Sequence, residues 1–384
     1  MAKKKKTSDE MPKEIGTNKV EQIIERIHKE LKKCEDKSFN VYFFVIDTKN
    51  VPSGSLLYIY KVAYELQELG YHVEMLHGEG KDFVGISQWA EPKYAELKHA
   101  SINSRKTTLS PSDFLIIPEI YTDVMSQTRN VPCKRIILLQ NFDYMTRIIP
   151  LGVHPYEYGI TDVITNTKYN EEMVKNNLPK ANTHIIRPGI SSAMFRKNDA
   201  PKKMIVNFVV KDGNDASRIV KPFLWKYPQL KWVQFTQLAN LPQEIFADAL
   251  RDGAITVVVD EGGSFQYAAL EALKTGSIVI SKIPDNIPEW MKEDEDLTNA
   301  IVWVDHLDEV ADIIANLVAM WVRDDIPQEL YAEMDKAAEL HTMDVLREDV
   351  KKVFVDELFP ARKKELEEAL KNFEENKDKI EEQK

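Results

Sequence analysis

The chain has 384 residues, a length that predicts two domains with extensions, because one hydrophobic core rarely grows past about 300 residues. Hydrophobic residues make up 43% of the chain and aromatic residues 9%, which excludes disordered and collagen-like classes. The formal net charge of −11 disfavours overall attraction to nucleic acid or anionic lipid. No run approaches the roughly 18 apolar residues of a membrane-spanning helix, so we expect a cytoplasmic protein without a membrane span.

The two cysteines, Cys34 and Cys133, lack the spacing of a metal site and suit a reducing compartment. Lys3 to Lys6 form a short basic run, which predicts a solvated tail. Behind it, apolar residues recur at helical spacing from Val20 to Leu31. Residues 1–38 are therefore predicted to form a basic tail and an amphipathic helix that packs on the first domain.

Residues 39–195 alternate between apolar runs and helical or polar segments. The runs read as buried strands at 39–47, 72–77, 114–118, 135–140, 162–166 and 183–186, with a helix at 56–69. This alternation is typical of a parallel sheet with helices on both faces. We therefore expect a first Rossmann-like domain at residues 39–195.

The pattern breaks around Arg187-Pro188-Gly189 and the polar stretch 197–203, which predicts a domain boundary near residue 196. Residues 196–342 repeat the alternation, with strands predicted at 204–210, 230–235, 255–260, 277–281 and 300–304, and helices at 242–251 and 265–274. Residues 343–384 are predicted to form an exposed helical C-terminal extension. Oligomerisation through the terminal helices remains open.

Parallel sheets bind ligands beyond the carboxyl ends of their strands, and two facing sheets form a cleft there. The loop Glu261-Gly262-Gly263-Ser264 follows a predicted strand and precedes a helix that begins near Phe265. Small residues let the backbone approach a ligand, and the helix start attracts phosphate. A diphosphate fits this loop, and Glu271, about two turns along the helix, could accept hydrogen bonds from ribose hydroxyls.

The stretch from Gly263 through Ser264, Phe265, Gln266 and Glu271 to Leu273, followed by Gly276 and an apolar run, resembles the donor-site signature of retaining GT-B glycosyltransferases of the family 4 (group 1) type. The resemblance spans roughly residues 39–321 and implies two Rossmann-like domains facing a cleft. In this family the first domain, here 39–195, binds the acceptor, and the second, here 196–342, binds the nucleotide-sugar donor. It implies that Glu271 holds the ribose of a nucleotide sugar. The first Glu of the signature has no counterpart, because Gly263 stands in its place, with Asp260 and Glu261 slightly upstream.

Other segments fit the same family. Pro52-Ser53-Gly54-Ser55 resembles the loop that approaches donor and acceptor, so Gly54 and Ser55 are candidate donor-binding residues. The family neutralises the departing diphosphate with a Lys and an Arg, for which Lys211 and Arg218 are the nearest candidates. The stretch from Asp285 to Trp290 is similar to glycosyltransferase-like proteins encoded by phages.

Gln140, Asn141, Asp143 and Tyr144 lie at and just beyond the end of the strand predicted at 135–140, where the first sheet would face the cleft. We assign these residues to the acceptor side. Asp143 could orient a nucleophilic hydroxyl, although an Asp at a strand end is also a common turn former.

No metal or cofactor is expected, beyond a nucleotide sugar as co-substrate. The histidines have no mutual spacing that makes a metal site, and the acidic run 294–296 is predicted to be solvated. The sequence contains no P-loop, no Gly-x-Gly-x-x-Gly fingerprint and no nucleophile with an adjacent base, which disfavours kinases, dehydrogenases and hydrolases.

The predicted function is sugar transfer from a nucleotide-diphosphate sugar to a hydroxyl, with retention and with the leaving phosphate as proton acceptor. Lys211, Arg218 and Asp143 are the candidate catalytic residues. A GT-B sugar-nucleotide epimerase and a catalytically degenerate nucleotide-binding module remain alternatives. The acceptor could be a glycan, a protein or a modified DNA base.

Overall fold

A computed structural model shows two parallel β-sheets that follow one another along the chain. The structure describes residues 17–78, 83–103, 108–260, 262–263, 265–293 and 296–381. The predicted basic tail at Lys3 to Lys6 lies outside the described residues, as do Ser264 in the donor loop and two acids of the run 294–296.

The first sheet has seven parallel strands in the order β3-β2-β1-β4-β5-β6-β7. Its strands are β1 Asn40–Phe44, β2 His72–His77, β3 Lys98–Ser101, β4 Phe114–Pro118, β5 Lys134–Leu139, β6 Asp162–Thr165 and β7 Asn182–Ile185. The helices of this half are α1 Thr17–Glu35, α2 Gly54–Glu68, α3 Pro92–Ala95, α4 Thr122–Gln127, α5 Phe142–Ile148 and α6 Lys168–Asn177.

The second sheet has five parallel strands in the order β14-β11-β10-β8-β9. Its strands are β8 Lys203–Val210, β9 Gln234–Gln237, β10 Gly253–Val259, β11 Ile278–Lys282 and β14 Ile301–Val304, and a separate hairpin pairs β12 Lys292–Glu293 with β13 Asp296–Leu297. The helices are α7 Gly213–Lys226, α8 Gln243–Asp252, α9 Tyr267–Lys274, α10 Leu307–Val322 and α11 Gln328–Glu339.

The central strands β1, β4, β5 and β10 are buried on both faces, which explains why they are continuous apolar runs. On β1, Val41 and Phe43 face one hydrophobic cluster, while Tyr42 and Phe44 face another on the opposite side of the sheet. The sequence prediction of two doubly wound α/β sheets is therefore confirmed. No described helix is long and apolar enough to cross a membrane.

The C-terminal segment returns to the first sheet instead of staying with the second. Helix α12, Met343–Val350, passes through a π-helical stretch, Lys351–Leu358, into α13, Phe359–Glu381. The ring of Phe354 lies 6.2 Å from that of Phe43 on β1. The helical extension predicted from residue 343 is thus present, and it covers a face of the N-terminal sheet.

Helix α13 lies along α1, so the two terminal helices of one chain pack on each other. Leu366 of α13 is buried, and Lys363 forms an ion pair with Glu35 at 3.2 Å. The expectation of an exposed last helix therefore holds for one face of α13 and fails for the other.

Among the strands, the clearest differences from the sequence predictions are at β3 and β9. Strand β3 was not predicted because its four residues are polar or partly exposed, as befits the edge of a sheet. Strand β9 begins at Gln234, four residues after the predicted start at Leu230, because Pro228–Leu230 form a short 3₁₀ turn.

Candidate functional site

The carboxyl ends of the two sheets face each other across a cavity of about 380 Å³, here called the cleft cavity. Residues from both halves line it: Pro52, Gly54, Ser55, Glu119, Gln140, Asn141, Tyr144 and Asn166 from the first, and Val209 to Lys211, Val258 to Asp260, Gly262, Gly263 and Phe265 to Ala268 from the second. The site is therefore built from the loops that follow β1, β4, β5, β6, β8 and β10, as expected for parallel sheets.

A smaller cavity of about 230 Å³, here called the side cavity, adjoins the cleft cavity behind Gly54 and Tyr267. Its wall is more apolar and includes Trp89, Leu238, Leu241 and Phe246. Glu271 also lines it. The two cavities together offer a polar compartment beside an apolar one.

Gly54 lies where the first half contacts the start of helix α9. Ser53 caps helix α2 by accepting a hydrogen bond from the Leu56 N–H at 3.3 Å, which fixes the loop after β1. A Cβ at Gly54 would lie 3.0 Å from Cδ2 of Tyr267. Glycine therefore permits the close approach between the start of α2 and the start of α9.

The loop after β10 folds back on itself at Gly263. A Cβ at this position would lie 2.4 Å from Oδ2 of Asp260, whereas a Cβ at Gly262 would meet no atom within 4 Å. The Asp260 carboxylate therefore occupies the space that a side chain at position 263 would need. The carboxylate of Asp260, three residues upstream, therefore lies where the side chain of an acid at position 263 would begin.

Gln266 holds this loop in shape. Its backbone lies in the left-handed region, with φ 62° and ψ 48°, a conformation that costs a non-glycine residue free energy. Its Nε2 donates hydrogen bonds to the carbonyls of Asp260 at 2.6 Å and Gly263 at 2.7 Å. The helix α9 consequently starts at Tyr267, two residues after the predicted start.

The two predicted cationic residues occupy different places. Lys211 lines the cleft cavity, and its Nζ lies 2.5 Å from Oδ1 of Asp260. Arg218 lies on the outer face of α7, exposed, with its guanidinium 3.4 Å from Asp215. Lys211 is thus one of the residues that line the cavity, and Arg218 is not.

Glu271 is buried on α9, with 8% of its surface exposed. Burial raises the pKa of its carboxyl, and the charge of Lys61 opposes that shift. Lys61 comes from α2 of the first half and donates a hydrogen bond to the Gly189 carbonyl at 2.8 Å. Burial lowers the pKa of Lys61 in turn. Helix α9 therefore carries a buried carboxyl group that interacts with the buried amine of Lys61 across the boundary between the halves.

The predicted acceptor residues separate into two groups. Gln140, Asn141 and Tyr144 line the cleft cavity. Asp143 does not line it, because its carboxylate accepts a hydrogen bond from Nδ2 of Asn286 at 3.1 Å. Asp143 therefore contacts the second half of the molecule outside the cavity.

Asn141 and Gln140 connect three loops of the site. The Asn141 side chain donates to the Gly262 carbonyl at 2.9 Å and caps α5 by accepting from the Asp143 N–H at 3.0 Å. Gln140 donates to the Ser55 carbonyl at 3.2 Å. These bonds hold the ends of β5, β1 and β10 together across the cleft.

Two polar residues of the cavity were missed by sequence reasoning, Glu119 and Asn166. Glu119 follows β4 and Asn166 follows β6, so the rule that drew attention to Gln140 after β5 applies equally to both. Burial raises the pKa of Glu119 to about 7. Its carboxylate accepts a hydrogen bond from the Asn141 N–H at 3.0 Å.

Within the residues that the structure describes, no group of three or more His, Cys, Asp or Glu side chains is arranged to hold a metal ion. Lys211 and Asp260 are the charged pair of the cleft cavity. The described part of the site therefore presents a cation and two carboxyl groups, with Glu119 the second, among amides and backbone.

No family model and no curated protein matches the sequence. Solved structures match the fold. A sucrose-phosphate synthase from Thermosynechococcus elongatus has a TM-score of 0.59 at 12% identity, over 84% of this chain and 100% of that chain. An α,α-trehalose 6-phosphate synthase from Burkholderia multivorans has a TM-score of 0.53 at 10% identity, over 83% and 99%.

A third neighbour is an α-glucosyltransferase in complex with UDP and a 13-mer DNA that contains an HMU base. Its TM-score is 0.50 at 12% identity, over 84% of this chain and 99% of that chain. The three proteins share the GT-B fold, and the likeness establishes that the present chain has this fold. The predicted GT-B architecture is thereby confirmed.

Proposed function

We propose that the protein is a glycosyltransferase that moves a sugar from a nucleotide-diphosphate sugar to a hydroxyl acceptor in the cleft cavity. The observation that carries the proposal is the position of Lys211, Asp260 and the described residues that follow Asp260 up to Tyr267, at the junction of the cleft cavity and the side cavity. This arrangement offers places for a diphosphate, a nucleoside and a sugar within one continuous site.

The diphosphate would lie between Lys211 and the start of α9. No described side chain caps this helix, so the first backbone N–H groups of α9 can donate to phosphate oxygens. Lys211 adds a positive charge from the opposite loop. Together they would stabilise the negative charge that develops on the departing nucleoside diphosphate. Arg218 would assist only if α7 or its side chain moved toward the cavity.

The nucleoside would occupy the side cavity. Glu271 would accept hydrogen bonds from the ribose hydroxyls, and the apolar wall formed by Trp89, Leu238 and Phe246 would contact the base. The raised pKa of Glu271 means that the ionised form grows as the pH rises. Nucleotide affinity should therefore increase with pH over the range where Glu271 titrates.

Asp260 would contact the hydroxyls of the transferred sugar. Its carboxylate lies in the space beside Gly263, where the resembling family has a Glu, and it lines the cleft cavity. The ion pair with Lys211 places this carboxylate next to the proposed phosphate site. Gly263 would then leave room for the acid that contacts the sugar, so the missing Glu would not remove the sugar subsite. This argues against a degenerate binding module.

During transfer the bond between the anomeric carbon and the phosphate oxygen breaks, and the nucleoside diphosphate leaves with the electron pair. The acceptor oxygen bonds to the anomeric carbon on the same face, and its proton passes to the leaving phosphate. Positioning and electrostatic stabilisation supply the rate, without a nucleophilic side chain. Retention of the anomeric configuration is expected.

A panel of nucleotide sugars and free nucleotides, measured by thermal shift and then by calorimetry, tests the proposal. We expect UDP or another nucleoside diphosphate to bind, and Glu271→Ala to weaken that binding by about 10-fold or more, the value of a hydrogen bond to a charged group. Lys221→Ala, on the exposed part of α7, is the matched control and should bind as the wild type does. If no nucleotide or nucleotide sugar binds, the proposal is refuted.

Product analysis then separates transfer from the epimerase alternative. A transferase that is given a nucleotide sugar without acceptor releases free sugar and nucleoside diphosphate slowly. An epimerase releases an altered sugar. The acceptor is proposed to be a glycan, a protein or a modified DNA base, and a panel of those three classes with the selected donor identifies it.

A further inference from the structure

Glu119 is a buried carboxyl group in the wall of the cleft cavity with no role in the donor site proposed above. It is the first residue after β4, which lies between β1 and β5 near the middle of the first sheet. Only 3% of its surface is exposed, yet it lines the cavity. A carboxyl group with little access to bulk water is therefore presented to the space where an acceptor must enter.

The neighbours of Glu119 fix its position without neutralising it. Its Oε1 accepts a hydrogen bond from the Asn141 N–H at 3.0 Å. Among the described residues it has no ion pair, unlike Asp260, the other acid that lines the cleft cavity, which is paired with Lys211. The amide nitrogens of Gln140 and Asn141 point to the Ser55 and Gly262 carbonyls.

The surroundings of Glu119 account for its titration. Burial raises its pKa to about 7, and hydrogen bonds from its own N–H and those of Gln140 and Asn141 partly oppose the shift. Among the described residues, Tyr58 of α2 interacts with Glu119, and the other titratable groups that line the same cavity are Tyr144, Lys211, Asp260 and Tyr267. Of these, Lys211 and Asp260 pair with each other.

We propose that Glu119 binds the attacking hydroxyl of the acceptor and orients it toward the anomeric carbon. This inference rests on the proposed glycosyltransferase function and adds the residue that holds the acceptor. The ionised carboxylate accepts a hydrogen bond from the acceptor O–H in the ground state. As the new glycosidic bond forms and the bond to phosphate breaks, the proton passes to the departing phosphate and Glu119 stays ionised.

Sugar transfer to two simple hydroxyl acceptors, water and glycerol, tests the assignment. The donor is UDP-glucose, replaced by another nucleotide sugar if the panel selects one. For the wild type we expect the rate of transfer to rise with pH through about 7. Glu119→Gln should lower transfer about 10- to 100-fold, since a charge-assisted hydrogen bond is lost, and should remove this pH step.

The amide of Glu119→Gln can keep the hydrogen bond from Asn141 through its oxygen, so the loop after β5 should retain its structure. Glu119→Asp should transfer slowly and keep a pH step, because a carboxyl group is still present. Glu30→Gln is the matched control: Glu30 is a buried acid of the same half, bonded to Ser112 and remote from the cleft cavity. It should leave the pH profile of transfer unchanged.

UDP affinity separates this inference from the proposed function. If Glu119→Gln binds UDP as tightly as the wild type but transfers at the wild-type rate with the same pH step, the role of Glu119 is refuted and the transferase stands. If neither protein binds any nucleoside diphosphate, the proposed function fails as well. A wild type that binds UDP but moves sugar to neither water nor glycerol also counts against a hydroxyl-orienting carboxyl group at this position.

Discussion

At the scale of single residues, the loop after β10 depends on the lack of a side chain at Gly263. Gly263 leaves room for the Asp260 carboxylate, which would be only 2.4 Å from a Cβ at that position. Gly262, its neighbour, has open space around the same point. Two adjacent glycines therefore differ in what they permit, and substituting each one distinguishes a requirement for space from general flexibility of the loop.

We expect Gly263→Ala to displace the Asp260 carboxylate and to lower sugar transfer by 10-fold or more, because a contact at this distance forces a side chain to shift. UDP affinity should change much less, since Glu271 and the side cavity are untouched. Steady-state kinetics with calorimetry of UDP measures both. Gly262→Ala should behave as the wild type, and equal effects of the two substitutions would contradict the placement of Asp260.

Glu119 gives a second prediction, on stability. Its pKa rises from 4.5 to about 7 on folding, so the folded protein holds a proton that the unfolded chain releases across this range. Stability is therefore lost as the pH rises from 4.5 to 7, by about 3 kcal/mol for this group alone. Glu119→Gln is neutral throughout and should gain up to this amount relative to the wild type between pH 4 and pH 8, measured by urea unfolding.

Glu30 provides the comparison with the opposite sign. Burial alone would raise its pKa, but hydrogen bonds with Ser112 and Lys33 outweigh burial and the net shift is downward. Its ionised form therefore stabilises the folded state, and Glu30→Gln should cost more free energy at pH 8 than at pH 4. Parallel pH trends for the two variants would contradict the assignment of Glu119 as a carboxyl group destabilised by burial.

At the scale of elements, the C-terminal helices are part of the first domain's core. Phe354 is fully buried, 6.2 Å from the ring of Phe43 and 5.7 Å from that of Phe359. Arg187, after β7, binds Asp349 of α12 through Nε at 2.7 Å and Nη2 at 2.8 Å. The segment that follows the second sheet therefore ties the end of the chain to the first sheet.

Phe354→Ala should destabilise the protein by about 3 to 5 kcal/mol, because it removes a large buried side chain and leaves a cavity between the helix and β1. Urea unfolding followed by tryptophan fluorescence and circular dichroism measures the loss. Lys351→Ala, an exposed position of the same π-helical stretch, should change stability by less than about 0.5 kcal/mol. A small effect of Phe354→Ala would mean that the C-terminal helices do not support the first sheet.

Predictability also differs between elements. The strands β2 and β4 were predicted to the residue, because each is a short apolar run between clear breaks. The start of α9 was not, because the left-handed backbone of Gln266 is stabilised by two carbonyls that only the folded loop brings to its side chain. Edge strand β3 was missed because its four residues, Lys98–Ser101, do not form an apolar run.

At the scale of the whole molecule, the two halves contact each other beyond the cleft cavity. Asn286 donates to Asp143 at 3.1 Å, and the Lys168 N–H at the start of α6 donates to Glu289 at 3.2 Å. Both partners from the second half lie in the stretch 285–290. This stretch therefore forms a further bridge between the halves, in addition to the bonds Asn141–Gly262 and Gln243–Trp89.

Asn286→Ala removes the hydrogen bond to Asp143 without changing a residue that lines the cleft cavity. We expect UDP affinity and sugar transfer to fall by a few-fold, because an interface between domains that loses a hydrogen bond favours more open arrangements. Small-angle X-ray scattering with and without UDP should show a larger radius of gyration for the variant without ligand. Asn130→Ala, at an exposed position in the first half, is the control. Identical scattering and affinity for all three proteins would rule out a role for this bridge.

The sequence by itself determined the two α/β sheets, most strand positions and the glycine-rich loop after β10, because these depend on local periodicity and on residues adjacent along the chain. It also identified Lys211, Gln140 and Asn141, which follow buried strands and line the cleft cavity in the structure. Asp143, from the same loop as Asn141, and Arg218, a candidate from the family resemblance, do not line this cavity. Asp143 is bonded to Asn286, and Arg218 is exposed on α7 beside Asp215.

Only the tertiary structure decided which side chains share the cleft. Glu119 lies in the site because β4 is placed between β1 and β5 in the sheet, and this strand order cannot be read from the sequence. The Asp260 carboxylate fills the space beside Gly263 because the loop turns back on itself. The last helices cover the first sheet because its apolar face needs a partner. Each is a contact between residues brought together by topology, whereas sequence patterns report the periodicity of one segment at a time.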